Sequence, residues 1–398
     1  MRVLTLDGRP ESARTLLAAL ADTLAGGPAL LPLSASDPRL AESRAAMAPT
    51  EPLEPDTAVV IRTSGSAGEA KGVLLSANAL HASAAATHER LGGPGRWLLA
   101  TPAQFVGGLQ VLVRSLLAGT RPGVVDLSVP FRGGPFADAA AEVLAGSGPR
   151  YTALVPTQLV TLLDEGGRGL AALRAFDTVI IGAAATPPEL ARRAADAGVR
   201  AVPAYGMSET ASGCVYDGLP LAGLRVRLAD ADGQGVGRIE LAGPMLAHGY
   251  RRAPEPTAAA FVDGWFRTGD EGRMVDGRLD VLGRTDDLIN TGGVKVSPSV
   301  VERVLAAQPG VLAVCVVGVP DARWGQAVVA AVVPVDPANP PGTEALAAVV
   351  RERVGRAAVP KRFGFTERLP VRGPGKVDRS GVRAMLDGTR VTGEPTRG

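Results

Sequence analysis

Residues 63–72 read TSGSAGEAKG and put three hydroxyls, three glycines and one lysine into ten positions, one residue after the β-branched run Val59-Val60-Ile61. Glycines in a turn that follows a strand let backbone N–H groups point at one place. Serine and threonine hydroxyls add donors there, and a lysine adds positive charge. The chemistry such a loop offers is capture of a phosphate. A Walker loop needs G-x-x-x-x-G-K-[ST], whereas Lys71 here follows Ala70 and precedes Gly72. The loop is therefore a phosphate loop of another kind or, taken alone, a Ser/Gly surface turn.

Four further stretches follow in order: YGMSET at 205–210, GWFRTGD at 264–270, GRTDDLINTGGVKVSP at 283–298 and PGKVDR at 374–379. Together with the loop, this ordered set resembles the signature motifs of the acyl-adenylate-forming superfamily, AMP-dependent synthetases and ligases that include acyl-CoA synthetases, luciferases and peptide-synthetase adenylation domains. A carboxylate is a poor electrophile, and joining it to AMP makes its acyl carbon attackable while expelling pyrophosphate. Charge then builds on phosphate oxygens, which calls for fixed donors and a cation.

The resemblance implies a role for each motif. Thr63, Ser64, Gly65, Ser66, Gly68 and Lys71 would hold the β- and γ-phosphates of ATP. Glu209, beside Ser208, would bind Mg²⁺, a hard cation that needs few protein carboxylates when phosphate oxygens and water complete its shell. Tyr205 would lie against adenine, with Gly182 and the small residues after it close to the nucleotide and acyl group. Asp270 would accept hydrogen bonds from the ribose hydroxyls, assisted by Arg284. Asp286 would be the hinge of a small C-terminal domain. Lys376 would be the cation that reaches the reacting carboxylate, and Gly292 and Gly293 would leave room for the pantetheine arm of coenzyme A.

The phosphate loop starts at residue 63, earlier than is usual in the superfamily. This chain is thereby most similar to the short 2-succinylbenzoate-CoA ligases of menaquinone biosynthesis, a likeness that TPAQFVGGLQVLVRSLLAG, LVPTQLVTLLDE and INTGGVKVSP share. In PAQFVGG, Phe105 keeps an aromatic group beside the acyl site but lacks the imidazole common there, and Gly108 closes the stretch. A dicarboxylic substrate leaves one carboxylate unreacted, and burying it unpaired is costly. Gln110 and Arg114, on one helix face, and Thr157 and Gln158, at a strand end, are candidate donors by position. For Arg114 a solvated surface position is an equal reading. A stand-alone activating enzyme that loads another carboxylic acid onto CoA or a carrier-protein phosphopantetheine is the alternative activity. The stretches VPTQLVTLL and IGAAATPP offer no acid for a substrate ammonium, so an uncharged or acidic substrate is expected.

Elements must position these groups. Apolar residues from Ser12 to Leu24 recur at helical spacing, and a Pro- and Glu-rich stretch then runs through Glu54. Residues 76–91 read as a helix, 96–102 as a strand and 107–119 as a helix ending at a glycine. Residues 151–166 and 178–206 repeat short strand, turn, helix and strand. Past Gly213, short alternating runs with Asp-Gly turns imply hairpins. A second α/β unit carries a helix over Pro298–Ala307, two strands and a helix over Glu344–Val354. The expected class is α/β, with a large nucleotide- and acyl-binding domain over residues 1–285 and a small mobile α+β domain over 286–398.

Composition excludes other classes. The 42 basic and 40 acidic residues leave a net charge of +2, and aromatics make up 4%, so nothing favours nucleic acid. Cys214 and Cys315 belong to no C-x-x-C motif and read as buried thiols. His81, His88 and His248 lack metal-pair spacing and read as structural. Asp7, Arg9, Pro10 and Glu11 interrupt any signal-peptide core, and no apolar run approaches membrane-spanning length. A cytoplasmic protein without membrane insertion is expected, and a homodimer is left open.

Overall fold

A computed structural model describes residues 1–64, 70–285, 287–372 and 376–388 of the chain. Its mixed α/β backbone forms two compact units. One contains Met1–Thr186, Arg193–Thr268 and Arg273–Asp280; the other contains Pro187–Arg192, Gly269–Gly272 and the chain from Val281 onward.

In the first unit, a five-stranded sheet runs in the order Arg2–Leu6, Leu30–Ser34, Val59–Ser64, Ala70–Leu75 and Gly249–Tyr250. Val59, Val60 and Ile61 are all at most 1% exposed, as are Val73 and Leu75. Both faces of this hairpin are thus covered, which is why its strands are continuously apolar rather than alternating. The strand Leu30–Ser34 and the helix Leu40–Ala46 lie inside the stretch expected to be a Pro- and Glu-rich connection. Pro32 lies within this strand, although proline is normally confined to edges and bulges of sheets. It is tolerated because pairing toward Val59–Ser64 involves Leu30 alone, so no ladder on that side asks Pro32 for an N–H.

A seven-stranded sheet has the order Leu219–Pro220, Ser212–Tyr216, Ala201–Met207, Thr178–Ile181, Arg150–Leu154, Arg96–Leu99 and Gly123–Val124. The last five strands pair in parallel, and Ser212–Tyr216 turns back antiparallel on Ala201–Met207. Helices Ala77–Leu91 and Val106–Leu117 contribute buried Leu80, Leu109, Leu112 and Val113. Ser76 caps the first of them by accepting from Ala79 N at 3.0 Å, a contact worth about 1 kcal/mol.

The second unit is built on the antiparallel pair Val311–Asp321 and Gly325–Pro334, with Arg362–Phe365 added in parallel. Period-two alternation sends Val316, Val328, Ala330 and Val332 to one face, against Val301 and Leu305 of helix Pro298–Ala306 and Leu346 and Val350 of helix Thr343–Arg353. Cys315, Val317, Val329 and Ala331 point to the other face, against Val382 and Leu386 of helix Arg379–Gly388. Cys214 and Cys315 are both free and buried, and burial pushes each thiol up to about 12. Among the described residues, no helix is long and apolar enough to cross a membrane.

Candidate active site

Parallel strands in an α/β sheet present their carboxyl ends on one edge, and ligands bind in the crevice there. Four adjacent strands of the seven-stranded sheet end in sequence-predicted residues. Ala201–Met207 carries Tyr205 and leads into Ser208 and Glu209; Thr178–Ile181 leads into Gly182; Arg150–Leu154 leads into Thr157 and Gln158; and Arg96–Leu99 leads into Phe105 and Gly108. Topology alone therefore gathers residues separated by about a hundred positions.

Glu209 sits in a single 3₁₀ turn, Ser208–Thr210, with Ala211 in the left-handed region at φ 48°. Thr210 fixes the turn: its hydroxyl accepts from Met207 N at 3.0 Å and donates to Ser212 O at 2.7 Å. Gly206 is required here, because a Cβ would lie 2.2 Å from Ser212 O on the neighbouring strand. Tyr205 is half-buried, as is Glu209. The Glu209 carboxylate accepts a hydrogen bond from the Tyr250 hydroxyl at 3.0 Å, and its main-chain oxygen accepts from Ala247 N at 2.8 Å.

The hairpin that carries the glycine-rich loop pairs Thr63 with Lys71. Gly65, Ser66 and Gly68 lie outside the described residues, and of Ser64 only the strand backbone is described. Gly72 serves packing: a Cβ would stand 2.6 Å from Met47 Sδ and 2.9 Å from Arg251 Cβ. Lys71 places its ammonium 5.0 Å from the centroid of the Tyr250 ring. Tyr250 thus touches both Lys71 and Glu209. Burial, then the charge of Glu209, raises the Tyr250 phenol above its ordinary range, so it stays a donor at neutral pH. Tyr250 belongs to none of the sequence motifs and lies two residues after His248.

Among the described residues, two buried hydroxyls that follow these strands in sequence lack a hydrogen-bond partner, Thr101 after Arg96–Leu99 and Thr186 after Gly182. Phe105, half-buried, occupies the N-cap position of helix Val106–Leu117 without a side-chain cap. Gly108 lies where a Cβ would be 2.5 Å from Pro102 O, so its glycine lets the helix seat against the loop. Gln158 is a strut, with Nε2 donating to Ala100 O at 2.6 Å and Oε1 accepting from Val155 N at 3.1 Å. Thr157, its neighbour in the first turn of helix Pro156–Glu165, is exposed.

Gln110 and Arg114 go elsewhere. Gln110 is fully buried and donates to Leu80 O at 3.1 Å. Arg114 is 1% exposed, which removes the solvated reading; it donates to the Tyr216 hydroxyl at 3.4 Å and stacks over Trp97 at 5.0 Å. Trp97 belongs to the amino-terminal half of its strand, so Arg114 lies toward the edge opposite the crevice. His88 accepts from Trp97 Nε1 at 3.2 Å. Burial, followed by the charge of Arg114, lowers His88 to about 4 and keeps it neutral at physiological pH. The structural reading of that histidine fits its position.

In the second unit, Asp270 is 9% exposed and Arg284 Nη1 approaches its Oδ1 at 4.0 Å. Gly269 makes this approach possible, since a Cβ there would meet Arg284 Nη2 at 3.0 Å. Gly292 and Gly293, at φ 58° and 81°, form the two-residue turn between Ile289–Thr291 and Val294–Val296, the geometry of a type I′ hairpin. Gly292 also abuts Trp324, whose Cε3 would be 2.8 Å from a Cβ, whereas Gly293 faces open space. Asp286 lies outside the described residues.

Of Lys376 the backbone alone is described, in the short strand Lys376–Val377 paired with Val371–Arg372. Its anchor, missed in the sequence, is Arg379. That guanidinium grips both oxygens of Glu302 at 2.6 and 3.0 Å, donates to Val316 O at 2.7 Å and reaches Asp287 at 3.5 Å. Burial opposes the charge, but Glu302 outweighs it, and the arginine is held more firmly protonated than usual.

Among the described residues, no three His, Cys, Asp or Glu side chains gather to cage a metal. Glu209, a half-buried carboxylate that accepts from Tyr250, instead fits a hard cation completed by phosphate oxygens and water.

Residues 7–251 match the AMP-binding enzyme family, and residues 300–376 match the AMP-binding enzyme C-terminal domain. The chain is 44% identical to a probable 2-succinylbenzoate–CoA ligase of Mycobacterium tuberculosis over 337 residues, 83% of this chain and 85% of that protein. It is 35% identical to a feruloyl-CoA synthase of Amycolatopsis sp, covering 82% of this chain and 70% of that one. Its fold resembles the o-succinylbenzoate CoA synthetase of Bacillus subtilis in complex with the acyl-adenylate intermediate OSB-AMP, with TM-score 0.70 and 25% identity over 95% of this chain and 81% of that one. On the extent of these matches, this chain belongs to the AMP-binding enzyme family.

Proposed function

We propose that the chain is an ATP-dependent carboxylate–CoA ligase acting through an acyl-adenylate, with 2-succinylbenzoate as the acid and menaquinone biosynthesis as its setting. The observation that carries this reading is the 44% identity, over most of both chains, to a ligase named for that acid.

In the first half-reaction a substrate carboxylate oxygen attacks the α-phosphorus of ATP and pyrophosphate departs. Thr63, Ser64, Gly65, Ser66, Gly68 and Lys71 hold the β- and γ-phosphates, and Tyr205 and the loop from Gly182 flank adenine. Asp270 and Arg284 fix the ribose, and Lys376 supplies positive charge at the reacting carboxylate and α-phosphate. Glu209 would hold Mg²⁺, which when bound offsets the charge of the phosphates. In the second half-reaction the thiol sulfur of CoA attacks the acyl carbon, AMP leaves and the thiol proton passes to solvent. Asp286 serves as the hinge that withdraws Lys376, and Gly293, facing open space, gives the pantetheine arm room.

The unreacted carboxylate of the substrate needs a donor. Thr157 is the candidate that is both exposed and placed at a carboxyl-edge strand end, in the first turn of helix Pro156–Glu165. Thr157→Val, which keeps the shape and removes the hydroxyl, is expected to raise KM for 2-succinylbenzoate about tenfold and leave KM for ATP unchanged. Steady-state kinetics on both substrates check this, and equal changes in the two constants would contradict it.

A second reading, activation of a different carboxylic acid, draws on Phe105 in place of an imidazole and on the likeness to a feruloyl-CoA synthase. The acceptor in that case is CoA or a carrier-protein phosphopantetheine.

A further inference from the structure

We infer that Tyr250 is a positioning residue for the nucleotide site, holding the carboxylate of Glu209 and the ammonium of Lys71 in a fixed relation through one side chain. The inference rests on the roles proposed above for Glu209 and Lys71 and adds a residue that none of the motifs contains.

The geometry is rigid at every step. Gly249–Tyr250 pairs antiparallel with Ala70–Leu75, setting Tyr250 opposite Val73, two residues from Lys71. The ladder continues on both sides, with His248 N donating to Leu74 O at 3.1 Å and Arg251 N donating to Gly72 O at 2.7 Å. Tyr250 N itself donates to Thr257 Oγ1 at 2.9 Å. Arg251, with a side chain only 2% exposed, donates to Met47 O, Ala48 O and Pro52 O and pairs with Glu54, which locks the segment against the sheet. Tyr250 is 6% exposed and its ring packs on Phe261 at 5.7 Å.

From that fixed base the two ends of the side chain do different work. The ring face attracts the Lys71 ammonium at 5.0 Å, a cation–π contact that confines a flexible lysine. The hydroxyl donates to Glu209 Oε1 at 3.0 Å and restricts rotation of the carboxylate. Tyr250 thereby links a cation on a hairpin to an anion in a separate 3₁₀ turn. A carboxylate already oriented binds a cation with less entropy loss, so the hydroxyl should act on metal requirement and the ring on affinity for the phosphates.

Two substitutions separate these ends. ATP binding is measured by calorimetry with Mg²⁺ varied from none to saturation, alongside the melting temperature. Tyr250→Phe is expected to raise the Mg²⁺ concentration for half-maximal effect about tenfold, the order expected for one lost hydrogen bond to a charged acceptor, and to leave Mg²⁺-free ATP affinity unchanged. Tyr250→Leu is expected to weaken Mg²⁺-free ATP binding as well, because Lys71 loses the ring. In the Glu209→Gln background, Tyr250→Phe should have no further effect on Mg²⁺ dependence. A merely structural tyrosine would lower the melting temperature of Tyr250→Phe without moving its Mg²⁺ requirement, and that result, or full additivity with Glu209→Gln, would overturn the inference. Failure of the underlying reading is distinct: Glu209→Gln itself would then match the unsubstituted protein at every Mg²⁺ concentration.

Discussion

Replacing Lys376 by alanine is expected to lower the rate of acyl-adenylate formation by on the order of 10³-fold, while conversion of supplied acyl-adenylate and CoA to the thioester stays within about threefold of the unsubstituted enzyme. The asymmetry follows from where charge appears. During adenylation an anionic carboxylate approaches an anionic α-phosphate, and a lysine ammonium is a compact charge that can relieve that repulsion. In thioester formation AMP departs from a neutral acyl carbon and no second anion must be brought up to it. Arg379, fixed to Glu302 and Val316 O, secures the helix that begins two residues after the strand Lys376–Val377. Alanine at position 376 should therefore remove the charge without loosening the segment. Single-turnover measurements of each half-reaction check this, and equal losses in both would show that Lys376 acts outside the first step.

The second large effect belongs to Glu209. Glu209→Gln keeps the size of the side chain and a carbonyl that can still accept from Tyr250, but it removes the charge that a hard divalent cation requires. Adenylation at low millimolar Mg²⁺ is expected to fall by on the order of 10²-fold, with partial recovery at higher Mg²⁺ and no change in thioester formation from supplied acyl-adenylate. ATP binding should lose most of its response to Mg²⁺. Calorimetry together with pyrophosphate release reads both. A variant whose adenylation falls equally at all Mg²⁺ concentrations would assign Glu209 a purely structural role in its turn.

The α/β character, the helices that begin near Pro10, Ala77, Pro298 and Thr343, and the valine-rich strands of the second unit were legible because each has its own periodicity or cap. The strand Leu30–Ser34 was not, since Pro32 and its short length argue against a strand until a neighbour that asks for only one pairing is known. The motifs named residues as candidates for phosphate, cation and ribose contacts. They did not say why glycines stand among them. Gly72 and Gly206 prove to be matters of clearance from Met47 and from Ser212, which are distant or antiparallel neighbours that spacing cannot reveal.

Helical spacing put Gln110 and Arg114 on one face but could not tell which end of the sheet that face met. The contact of Arg114 with Trp97 and Tyr216 answers this. Tyr250 and Arg379 were missed for the same reason: each gains its meaning from partners 41 and 77 positions away.

The most direct test of the two-step ligase reading is to mix pure protein with ATP, Mg²⁺, CoA and 2-succinylbenzoate, among a panel of other carboxylic acids, and to identify products by mass spectrometry. The account predicts 2-succinylbenzoyl-AMP when CoA is omitted and 2-succinylbenzoyl-CoA, with AMP and pyrophosphate, when it is present. Turnover of another acid with none of 2-succinylbenzoate would contradict the substrate assignment, and the absence of any acyl-AMP across the panel would contradict the adenylate mechanism itself.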